Sequence, residues 1–230
     1  MPTRYVVDEH NQLLEAPVRE LPPQPAGLVW PARIISVLFH PLFVPVYVIA
    51  FLVYIEPYLY NGFSRWDKTV VILQAVVMYS FFPLVTVLLL KAVRFIDSVF
   101  LHTQRDRVIP YVACGIWYFW AWYVRHNLPD TPNELIYFSL GIFLAGSAGL
   151  IANIFMKVSM HAMAMGVAAA FLVLLALHQD IRFTLYVSVA ILATGLVCTG
   201  RLICSDHSPR EIYTGLAIGV VSLLLGYLFT

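Results

Sequence analysis

Residues 135–156 read LIYFSLGIFLAGSAGLIANIFM, 22 consecutive positions without Asp, Glu, Lys or Arg. A helix of that length rises about 33 Å, and the hydrocarbon core of a bilayer is about 30 Å thick. No water inside lipid satisfies backbone N–H and C=O groups, so such a run folds as a helix that bonds to itself. Working outward, further apolar runs lie at roughly 35–56, 69–91, 108–125, 161–178, 183–201 and 211–229. The runs at 161–178 and 183–201 are short and rich in Ala or Gly. The expected fold is all-α: a polytopic transmembrane helical bundle of six to seven spans.

Composition agrees with the runs. Of 230 residues, 60% are hydrophobic and 12% charged, and the mean hydropathy is +0.80. A water-soluble domain of this size carries about twice that charge. The formal net charge of +1 gives no electrostatic footprint for nucleic acid. Cys114, Cys198 and Cys204 show no metal or redox spacing and read as packing residues. The first thirty residues carry Asp8, Glu9, Glu15 and Glu20, which does not fit a cleavable signal sequence. Residues 1–33 are expected to be a polar tail, disordered or lying along the membrane surface, before a membrane domain at 34–230. The chain is expected to be an integral, multi-pass protein of the cell inner membrane.

Counting crossings assigns sides. Spans pair up and return the chain to its starting face, so the polar stretches 92–107, 157–161 and 201–211 share one membrane face. The first contains His102-Thr103-Gln104-Arg105-Asp106-Arg107. Its two arginines suit a phosphate through forked donors, or simply anchor a helix end at the interface. The second is Lys157-Val158-Ser159-Met160-His161. Ser159 is placed as an N-cap, with the following amides facing an anion, and a cap needs no ligand. The third is Arg201-Leu202-Ile203-Cys204-Ser205-Asp206-His207-Ser208-Pro209-Arg210-Glu211. Ser208, Pro209 and Glu211 spell a capping box with proline at the first helical position. Glu211 also lies four residues from His207, where a carboxylate fixes an imidazole tautomer. Arg201, close to lipid, is costly unless it is paired or functional.

The third cluster resembles a signature of the type 2 phosphatidic acid phosphatase superfamily: Ser-Arg, five residues, His, three residues, Asp. Arg201, His207 and Glu211 keep that spacing, with Gly200 in place of serine and Glu211 in place of aspartate. The second signature, Pro-Ser-Gly-His, is similar to Val158-Ser159-Met160-His161. The first, Lys, six residues, Arg-Pro, is met loosely by Arg107, with Pro110 displaced and Phe100 where lysine is expected. The resemblance covers about residues 69–229.

The resemblance implies a metal-independent phosphatase that needs no cofactor and acts on a lipid phosphate or diphosphate in the membrane. It makes His207 the nucleophile that becomes phosphohistidine, Glu211 its orienting acid and His161 the general acid. It makes Arg201, Arg107, Ser159, Lys157 and Arg105 the phosphate-binding set. Other readings stay open at this point: a metal-dependent lipid hydrolase or transferase, a transporter, and a non-catalytic binder of an anionic lipid. Ten of the 14 Lys and Arg residues fall on the site face, which points it to the cytoplasm. Four of those ten are the phosphate candidates themselves, so the side stays open, as do lipid identity and oligomeric state. His40, His178, His126 and Glu56 read as packing or boundary residues.

Overall fold

Prolines decide where several of the helices begin and break. The computed structural model describes residues 4–7, 13–16, 24–56, 58–96, 104–178, 183–204 and 207–230. Its order is β1 (Arg4–Val7), β2 (Leu13–Ala16), α1 (Ala26–Leu38), α2 (Val44–Tyr54), α3 (Arg65–Val76), a π-turn (Val77–Phe81), α4 (Phe82–Ala92), α5 (Gln104–Asn127), α6 (Asn133–Phe155), α7 (Met160–His178), α8 (Thr184–Ile203) and α9 (Pro209–Leu228). Among the described residues five helices are long and apolar enough to cross a membrane: Arg65–Ala92, which joins α3, the π-turn and α4, and then α6, α7, α8 and α9. This is a helical membrane bundle. α5, 24 residues long, runs beside α4 and α6; three tryptophans and four tyrosines or histidines make it less apolar.

Two expectations change. The run 35–56 is not one helix. Pro41 restricts His40 and has no N–H to continue the ladder, so α1 stops at Leu38 and α2 restarts with Pro45 in its first turn. The Ser80 hydroxyl, in the π-turn, donates to the Leu42 carbonyl at 2.7 Å and fixes this break against the long helix. Second, α5 begins at Gln104, so Arg105 and Arg107 belong to its first turn rather than to a preceding loop. In the N-terminal segment β1 and β2 pair antiparallel from Arg4–Ala16 to Val7–Leu13.

Glu56 is more than a boundary residue. It is buried, and its Oε2 accepts from the amides of Tyr58 and Leu59 at 3.0 and 2.6 Å, shaping the turn after α2. Arg125, also buried, donates to the Tyr79 hydroxyl at 3.0 Å and lies over that ring.

The tightest seam joins α7 to α9. A Cβ on Gly166 meets the Leu216 carbonyl at 2.5 Å, and one on Gly219 meets the Met163 carbonyl. Between helices in lipid, close approach of small residues replaces the hydrophobic drive available in water. Gly219→Ala is therefore expected to destabilise by about 1–3 kcal/mol, while Gly195→Ala, with open space at its Cβ, is neutral or better. Thermal unfolding in detergent checks this; an equal effect at both positions contradicts it.

Candidate active site

Three consecutive residues ahead of α7 gather the polar clusters. The Lys157 carbonyl accepts from His207 Nδ1 at 3.1 Å. The next carbonyl, of Val158, accepts from Arg107 Nη1 at 2.7 Å. The Ser159 amide then donates to the Glu211 backbone carbonyl at 3.1 Å. One short segment thus ties the start of α5, the α8–α9 connection and the start of α9 to itself. A second tie holds α5 to the end of α6, where the Gln104 and Asn153 side chains each donate to the other's backbone carbonyl at 2.8 Å.

His207 Nδ1 faces two acceptors, the Lys157 carbonyl and Glu211 Oε2, each at 3.1 Å. Neither can donate, so Nδ1 carries the proton and Nε2 keeps its lone pair. The same Glu211 oxygen accepts from the Ser208 amide at 3.0 Å. The capping box is present in full, so one carboxylate both starts α9 and orients His207. Burial, followed by the Arg107, Arg201 and Lys157 cations, pushes the His207 imidazole down to about 3. The hydrogen bond to the Lys157 carbonyl pulls the other way.

His161 donates Nε2–H to the Ser36 carbonyl of α1 at 3.0 Å, leaving Nδ1 as the nitrogen open to proton exchange. Ser159 is fully buried, and its hydroxyl accepts from the Ala162 amide at 3.4 Å, as an N-cap does. Arg107 is buried too. Arg105 lies in the first turn of α5, but its side chain falls outside the described residues, as do Ser205 and Asp206. Among the described residues no three His, Cys, Asp or Glu side chains converge as metal ligands.

A cavity of about 810 Å³ opens onto these groups, lined at one end by Arg107, Lys157, His161, Arg201 and His207. It also takes in Arg33 and His40, which the sequence alone did not single out. The His40 ring stands edge-on to His161, 5.3 Å between centroids. The signal for His40 was present as His-Pro at the middle of an apolar run, which breaks the helix and leaves a histidine at membrane depth. Gly200, where the resembling signature has serine, lets α1 pack close: a Cβ there meets the Ala32 carbonyl at 3.3 Å.

The PAP2 superfamily model matches residues 129–230, and over that segment the chain is similar to this superfamily. No curated protein and no solved structure matches the chain. Lys157, Ser159, His161, Arg201, His207 and Glu211 fall inside the matched segment; Arg107 and all of α1 fall before it.

A histidine with a lowered pKa binds its proton more readily when unfolded. Its contribution to stability is therefore complete above about 6.5 and is lost as pH falls toward about 3. Within that window the folded ring stays neutral. Side-chain nitrogen NMR of His207, assigned by comparison with His207→Ala, is expected to show the neutral Nδ1–H tautomer still present at pH 5. Protonation with a midpoint near 6.5 contradicts the described electrostatics.

Proposed function

We propose that this chain is a membrane lipid phosphatase that hydrolyses a lipid phosphate or diphosphate through a phosphohistidine, without a metal ion. The observation that carries the reading is the single opening shared by Arg107, Lys157, His161, Arg201 and His207, with His207 Nδ1 held by Glu211 at 3.1 Å. Phosphoryl transfer asks little covalent work of a protein and much charge placement. Three cations beside a neutral imidazole meet that demand.

In this reading His207 Nε2 attacks phosphorus, the N–P bond forms and the P–O bond to the leaving group breaks. His161, its Nε2–H still on the Ser36 carbonyl, takes a proton at Nδ1 from the monoanionic phosphate of the substrate and passes it to the departing oxygen. Water then attacks the phosphohistidine, the N–P bond breaks, and His161 Nδ1 takes the water's proton and returns it to the released phosphate. Arg107, Arg201, Lys157, Ser159 and Arg105 belong to the phosphate-binding set. The Ser159 role works through the N-terminus of α7, because its own hydroxyl is occupied as a cap. Placement of the opening at the ends of membrane helices favours a substrate whose phosphate sits at headgroup level.

The test is phosphate release in detergent with EDTA from a panel of lipid phosphates and diphosphates. Wild type is expected to release phosphate, and His207→Ala to lose on the order of 10³-fold or more, the scale set by removing a covalent nucleophile. Activity abolished by EDTA points to metal-dependent chemistry. A folded wild type that binds these lipids without releasing phosphate points to transport or binding.

A further inference from the structure

The polar opening occupies only one end of the cavity. Along α5 the lining residues include Arg107, Tyr111, Cys114 and Tyr118, a stripe at helical spacing that descends eleven positions, about 16 Å at 1.5 Å per residue. On α6 the wall continues through Gly146, Ala145 and Ile142 to Phe138, whose ring packs on Phe171 at 4.7 Å between centroids. Below the cations the wall is therefore almost wholly apolar and runs about half-way through a hydrocarbon core of about 30 Å. An inorganic anion has no use for this arm. An apolar void of such size is unfavourable to leave empty.

The cavity also meets the bilayer sideways. Val37 of α1 and Leu84 and Leu88 of α4 line it, yet they are 67%, 45% and 50% exposed. α1 packs on α8 and α4 on α5, while α1 and α4 barely touch. Between them lies a gap with apolar edges, level with the site.

We infer that a hydrocarbon chain of the substrate enters through the gap between α1 and α4 and lies inside the bundle, with Ala145, Gly146 and Phe138 setting the length accepted. The inference rests on the phosphatase reading above and adds what selects the substrate: chain length read by the protein interior, not by the surrounding lipid. Continuity of one cavity from His207 to Phe138 is its ground. Gly146 is a suitable position to alter, since a Cβ there meets only Tyr118, at an ordinary 3.7 Å.

The experiment compares kcat/KM for a long-chain and a water-soluble, short-chain phosphatidic acid in detergent, in wild type, Ala145→Phe and Gly146→Leu. The long-chain to short-chain ratio is expected to fall at least ten-fold in both variants, and by less in Gly146→Ala. A monodisperse elution profile with short-chain turnover retained identifies a folded variant. Unchanged ratios in folded variants overturn the inference and leave the phosphatase reading intact, because the chain then lies in lipid. Should Ala145→Phe and Gly146→Leu fail to fold, Gly146→Ala with a series of chain lengths decides: an optimum that does not shift overturns the inference. No release from either substrate by wild type overturns the phosphatase reading itself, and this inference with it.

Discussion

Everything at the polar end of this bundle hangs on the backbone of Lys157, Val158 and Ser159. Two carbonyls and one amide, in immediate succession, hold His207, Arg107 and the start of α9. The segment is free to do so because it lies between α6 and α7, where the last carbonyls of one helix and the first amides of the next lack partners within their helices. Buried backbone groups of this kind must find partners, and here the partners include the His207 and Arg107 side chains. Residues fifty or more positions apart are thereby brought to one place by groups that carry no side-chain identity.

This arrangement gathers cations in a site with little water, which costs free energy unless anions or hydrogen bonds offset it. Glu211 accepts from His207, and the Val158 carbonyl, just ahead of α7, accepts from Arg107. Burial first, and then the neighbouring Arg107, Arg201 and Lys157 cations, hold the His207 imidazole down to about 3, which leaves a lone pair on Nε2. The close α7–α9 seam serves this directly: Gly215, whose Cβ would meet the Ser159 carbonyl at 2.6 Å, allows α9 to bring Glu211 against Ser159.

Much of this was legible in the residues. Long uncharged runs announced a membrane bundle, and counting crossings put three polar stretches on one face, where the structure joins them. Arg201, His207 and Glu211 were legible because helix geometry fixes contacts at four positions apart and because the capping box has a sequence form. What escaped were features set by tertiary context. The 35–56 run reads as one span by hydropathy, and only the stiffness of His40-Pro41 divides it. Arg107 was a phosphate candidate from the sequence, but nothing local tells that its guanidinium reaches a carbonyl 51 positions away. His40 and Arg33 have no partner at helical spacing, and they join the cavity only because α1 lies on α8 beside Gly200. The apolar arm is illegible for a different reason: lining a cavity and facing lipid ask for the same residues.

The account stands on His207 forming a bond to phosphorus. Rapid quenching of turnover with a radiophosphate-labelled lipid substrate tests it most directly. The account predicts label held covalently by denatured wild-type protein, stable to base and lost in acid, recovered on the peptide containing His207 and missing from His207→Ala. Steady release of phosphate with no trapped label, or label that persists in His207→Ala, contradicts it.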